Sequence, residues 1–124
     1  MRSVALLGTG LLGESIGQRL LERGVSLYVW NRTQERSRGL IEAGAQALNS
    51  PAEAPRCCDS LITVLRDGPV TAAVLNAIGA LDGSTLITMG TVGITESQAL
   101  AEQAARQGGQ YLEAPVLGSK PQAL

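Results

Sequence analysis

Residues 3–31 read SVALLGTGLLGESIGQRLLERGVSLYVWN, and the order of signals within them decides the fold. The opening run, Ser3 to Leu7, is too uniformly apolar for a strand with one wet face and suits a parallel strand covered on both sides. Gly8-Thr9-Gly10-Leu11-Leu12-Gly13 follows at once, a G-x-G-x-x-G. From Leu11 to Arg23 the apolar positions Leu12, Ile16, Leu20 and Leu21 recur at helical steps, and Gly24 stands where a helix stop belongs. Residues 27–30 are again strand-like and run into Asn31-Arg32-Thr33. Glycines alone would indicate only a turn; a strand before them, a helix after them and a second strand at this spacing predict a nucleotide-binding β-α-β unit. In it Gly8 makes the tight turn, Gly10 lets backbone approach a pyrophosphate and Gly13 lets the helix pack against the strand. The helix N-terminus adds partial positive charge.

The same alternation continues outward. Thr33 can cap a helix reaching residue 43 and closed by Gly44, and a short strand is expected near 45–48. Ser50-Pro51 starts a short helix, residues 60–65 form a fourth strand and 69–76 another helix. Residues 85–89 give a fifth strand, Thr95 opens a helix over 96–107 closed by Gly108-Gly109, and 110–113 give a sixth strand. Residues 118–124 read as a loop or as the start of an unfinished element. The fold class is α/β, a Rossmann doubly wound parallel sheet with strand order 3-2-1-4-5-6 and helices on both faces.

Composition narrows the chemistry. With 124 residues, 44% apolar and 17% charged, the chain has the size and hydrophobicity of one folded domain spanning 1–124. Its core must be aliphatic, since the aromatic residues are Tyr28, Trp30 and Tyr111 and there is no phenylalanine. A net charge of -1 supplies no global field for nucleic acid or anionic lipid, so no nucleic-acid or membrane partner is expected, and any anion must be held locally. The absence of histidine removes Ser-His-Asp and Cys-His nucleophiles and the usual zinc sets. Cys57 and Cys58, adjacent and only two, make neither an all-Cys metal site nor a disulfide framework, so no metal is expected and a reducing, cytoplasmic setting fits. The apolar run at 4–7 is too short for a signal peptide or a membrane span.

The end of the second strand should read the cofactor's ribose. An acid there would bind the hydroxyls of NAD, but the place, eighteen residues after Gly13, is held by Asn31. A neutral amide followed by Arg32 and Thr33 has no carboxylate to repel a 2′-phosphate and offers a guanidinium and a hydroxyl to hold one. NADP (NADPH) is therefore expected in preference to NAD.

The stretch GTGLLGESIGQRLLERGVSLYVWNRT resembles the opening of the β-hydroxyacid dehydrogenases, which include 3-hydroxyisobutyrate and 6-phosphogluconate dehydrogenases and glyoxylate/succinic semialdehyde reductases, with imine reductases as relatives. LITVLRDGPVTAAVL resembles that family's fourth strand, cofactor loop and helix; LITMGTVGITES its D-x-S-T substrate segment; YLEAPVLGS its D-A-P-V-S-G-G segment. The resemblance implies that Leu65, Arg66 and Asp67 line the ribose side of the cofactor, that Thr91 lies near the nicotinamide and that Gly118 and Ser119 border a small-molecule substrate. It also exposes departures. The family's substrate serines fall on Gly90 and Leu117, so two donors to a substrate carboxylate are missing and a less polar substrate is favoured. The family's catalytic lysine belongs to a G-x-G-x-x-x-K stretch further downstream, leading into an all-helical domain. Lys120, the one lysine here, is not its equivalent, so no catalytic residue is assigned in this chain.

The expectation is an NADPH-binding domain, cut off before its helical substrate and dimerisation domain, of an oxidoreductase that transfers hydride between nicotinamide and a small carbonyl, hydroxy-acid or imine substrate. The alternatives are a non-catalytic NADPH-binding module acting as sensor or interaction domain, a domain for another nucleotide, and a purely structural subunit. The surface near residues 116–124, uncovered in the isolated domain, points to self-association into a homodimer.

Overall fold

A computed structural model describes residues 3–8, 10–65, 68–89 and 94–114. Strands β1 (Ser3–Leu7), β2 (Ser26–Trp30), β3 (Gln46–Ala47), β4 (Ser60–Thr63), β5 (Thr85–Thr88) and β6 (Gln110–Glu113) form one sheet of order β3-β2-β1-β4-β5-β6. Every pairing is parallel. Helices α1 (Gly10–Glu22), α2 (Arg38–Glu42), α3 (Ala54–Cys57), α4 (Gly68–Ile78) and α5 (Ile94–Arg106) connect them. This is the doubly wound topology the sequence predicts.

The apolar run of β1 is explained by burial on both faces. Leu6 turns to one side, where it packs with Leu27, Val29, Leu40 and Ile62 under α1 and α2. Ala5 and Leu7 turn to the other, against Leu61, Val74, Leu75, Leu86 and Leu100 beneath α4 and α5. All of these core side chains are buried, and aliphatic residues dominate both clusters.

Several boundaries differ from the sequence expectation. The helix expected over 33–43 is divided: residues Gln34–Ser37 form a 3-10 stretch before α2 begins. Gly39 is a weak helix former early in α2, and Thr33, placed as expected at the cap, makes no side-chain cap bond. Ser50 likewise makes no side-chain cap bond, although Pro51 does start a 3-10 turn leading into α3. Instead the Asn49 N–H donates to Glu53 Oε1 at 2.8 Å. Strand β4 ends at Thr63 rather than at residue 65, with Val64 keeping one bond to the Leu7 carbonyl at 3.0 Å before the chain turns.

Candidate cofactor site

The register brings the strand ends into one row. Trp30 lies beside Leu7, Leu7 beside Thr63, Thr63 beside Thr88, and Thr88 beside Glu113. Ligands of open α/β sheets bind outside this C-terminal edge, where the strand order reverses, which here is between β1 and β4.

Gly8 sits at that point with φ +95°, its N–H donating to the Trp30 carbonyl at 2.9 Å. A Cβ on it would stand 2.6 Å from both the Val64 carbonyl oxygen and Leu65 Cδ2, so both conformation and space demand glycine. Helix α1 begins at Gly10. At Gly13 a Cβ would come within 2.9 Å of the Gly8 carbonyl oxygen, so the absence of a side chain lets the first turn of α1 pack directly on the glycine turn. That turn of helix contains no acidic residue, so its N–H groups and partial positive charge are not neutralised from within. Leu11 in the same turn is 81% exposed, and Leu12 is half-buried.

Beyond β2, the half-buried Asn31 shapes the loop by donating from Nδ2 to the Thr33 carbonyl at 2.9 Å. Arg32 and Thr33 are left exposed, as is Arg36, whose N–H also reaches the Thr33 carbonyl. Between this loop and α4 lies a cleft of about 310 Å³, with Trp30, Asn31 and Arg32 on one wall and Leu65, Val70, Ala73 and Ala77 on the other. The cleft is mostly apolar, and Arg32 is the one charged residue in its lining. Asn31, Arg32 and Leu65 are thus brought together from loops that follow β2 and β4. Val70, Ala73, Ala77 and Pro51 also line the cleft and were missed as site residues. A faint signal existed for the alanines, which are exposed apolar residues four apart on α4.

Thr9, Arg66, Asp67, Gly90, Thr91, Leu117, Gly118, Ser119 and Lys120 lie outside the described residues. Among the described residues no group of His, Cys, Asp and Glu could hold a metal ion, and no helix is long and apolar enough to cross a membrane. Both cysteines are free, Cys57 exposed and Cys58 buried.

Comparison with known proteins agrees with this geometry. Residues 3–124 match the family described as the NAD binding domain of 6-phosphogluconate dehydrogenase. Glyoxylate/succinic semialdehyde reductase 1 of Arabidopsis thaliana is 34% identical over 125 residues, which cover 97% of this chain and 43% of the reductase. The uncharacterized oxidoreductase YfjR of Bacillus subtilis (strain 168) is 35% identical over 120 residues, covering 93% of this chain and 42% of its own length. Among solved structures, an imine reductase from Pseudomonas sp. superposes with a TM-score of 0.91 at 27% identity, over 97% of this chain and 43% of that one. The chain therefore spans under half the length of these relatives.

Proposed function

The chain belongs to the β-hydroxyacid dehydrogenase family, as an NAD(P)-binding domain of the 6-phosphogluconate dehydrogenase type, and from that premise we propose that it binds NADPH in preference to NADH for hydride transfer involving a small carbonyl, hydroxy-acid or imine substrate. The observation that carries the cofactor preference is the turn after β2, where a neutral amide shapes the loop and an exposed guanidinium and hydroxyl follow it. A 2′-phosphate placed there meets Arg32 and Thr33 and no carboxylate at position 31.

The residues present fit the dinucleotide. The pyrophosphate belongs over Gly8, Gly10 and Gly13, at a helix N-terminus free of acidic side chains. The flat, apolar adenine fits the cleft between Trp30 and the Val70–Ala73–Ala77 face, with Leu65 beneath the ribose. When bound, NADPH supplies the hydride; the protein's part is to orient it and to exclude water. The oxidoreductase names of the relatives favour this reading over a purely sensory module. In it, residues 1–124 are the cofactor domain of a cytoplasmic enzyme. The proton donor and the rest of the substrate pocket come from a helical domain beyond them, and Arg66, Asp67 and Thr91 complete the cofactor's contacts.

Exchanging the phosphate-reading residues tests the assignment. Asn31→Asp combined with Arg32→Leu removes a charge-assisted contact and installs a repulsive one. NADPH affinity should fall roughly ten- to hundredfold while NADH affinity holds or rises. Emission from Trp30, in the wall of the cleft, follows the titration. An unchanged NADPH/NADH ratio would sink the preference.

A further inference from the structure

Beside the cofactor edge, Thr88, Tyr111, Ser97 and Glu113 form a chain of side-chain hydrogen bonds. Thr88 Oγ1 and Tyr111 Oη lie 2.9 Å apart, Tyr111 Oη and Ser97 Oγ 3.0 Å, and Ser97 Oγ donates to Glu113 Oε1 at 3.2 Å. Thr88 and Glu113 are the last residues of β5 and β6 and are partners in the register, with the Ala114 N–H closing on the Thr88 carbonyl at 2.9 Å. Tyr111 shares a face of β6 with Glu113, and Ser97 lies in the first turn of α5. Thr88 and Ser97 are buried, whereas Glu113 is exposed.

Counting donors fixes the direction of the chain. A hydroxyl carries one hydrogen and an ionised carboxylate none. Ser97 commits its hydrogen to Glu113 and so accepts from Tyr111. Tyr111 has then used its own hydrogen and accepts from Thr88. The order runs from Thr88 through Tyr111 and Ser97 to the carboxylate, each bond polarising the next. The Tyr111 hydroxyl joins the end of β5 to the start of α5, and no other side chain in the network does so.

A dinucleotide bound at the reversal of strand order extends its two halves over the two halves of the sheet, so the nicotinamide half lies toward β4, β5 and β6. We infer that the Tyr111 hydroxyl is a positioning group for the nicotinamide half of the cofactor, holding the ends of β5 and β6 and the first turn of α5 at a fixed spacing on that side of the site. This inference rests on the cofactor reading above.

The test compares NADPH, which spans both halves, with 2′,5′-ADP, which occupies the adenosine half alone. Both are titrated calorimetrically into the full-length protein, its Tyr111→Phe variant and its Ser97→Ala variant, with thermal unfolding measured in parallel. Tyr111→Phe should weaken NADPH roughly three- to tenfold and leave 2′,5′-ADP unchanged. Ser97→Ala, which keeps the phenol but cuts its link to Glu113, should shift the same ratio in the same direction and decides the question if Tyr111→Phe does not fold. A lowered melting temperature with the NADPH/2′,5′-ADP ratio unmoved would make the network merely structural and overturn the inference. Wild-type protein that binds neither ligand would instead overturn the cofactor reading itself.

Discussion

Ser37 carries a hydroxyl that is buried, 3% exposed as a residue, with no hydrogen-bond partner among the described residues. An unsatisfied buried polar group costs about 1–3 kcal/mol relative to a satisfied one. Ser37→Ala removes that group with almost no change in volume, so it should raise stability by about 1 kcal/mol, seen as a higher urea midpoint at unchanged m-value. A lower midpoint would mean that the hydroxyl has a partner in solution. Gly8 shows the opposite relation between sequence and structure. Its place in a tight turn was legible because the G-x-G-x-x-G sets it between strand and helix, whereas the crowding by Val64 and Leu65, distant in sequence, was not. Ser37 stands in the charged stretch QERSR, where nothing in the pattern marks a buried position. The bond from Asn31 to the Thr33 carbonyl was equally hidden, since the same side chain could have faced the cofactor.

At the level of elements, glycines announced where helices stop, while helix interiors and cap chemistry were harder to read. Gly24, Gly44 and Gly108 all take positive φ just past α1, α2 and α5, as their spacing predicts. The division of the helix after β2 was not legible, because Thr33 looks like a cap and offers its carbonyl instead of its hydroxyl. Nor was the way α4 ends. Gln107, just past α5, donates from Nε2 to the carbonyls of Leu75 and Gly79, and Gln103 Nε2 reaches the Ala72 carbonyl at 3.3 Å. The last carbonyls of a helix have no partner within it, so a glutamine from the neighbouring segment serves as their cap. Gln107→Ala should cost about 1–2 kcal/mol. It should also speed amide hydrogen exchange in the C-terminal half of α4 more than in α1. Uniform acceleration across both helices would refute a capping role, because it would report only a lower global stability.

On the scale of the whole molecule, the alternation of strand and helix with right-handed crossovers was enough for a parallel α/β sheet, and it took the G-x-G-x-x-G after β1 to select the order β3-β2-β1-β4-β5-β6 among doubly wound sheets. The composition pointed to an aliphatic core but not to which residues share it, and Cys58 is a case in point. It is 4% exposed and packs in the larger cluster with Ala54, Leu61 and Leu86, while Cys57 is exposed. Burial, followed by the charges of Cys57 and Asp59, pushes the Cys58 thiol up from 9.0 to about 12. The folded chain then keeps this proton through a range in which the unfolded chain has lost it. Stability from this group is fully present below 9.0 and declines as the pH rises toward about 12, since the unfolded state binds fewer protons there. Urea midpoints of the wild type should therefore fall across that interval more steeply than those of Cys58→Ala, whatever the offset between the two proteins. The same burial predicts that a thiol reagent modifies Cys57 at once in the native protein and reaches Cys58 only as fast as the core opens. Equal pH slopes together with equal labelling rates would place Cys58 at the surface and dissolve the link between α3 and the sheet on which this side of the core depends.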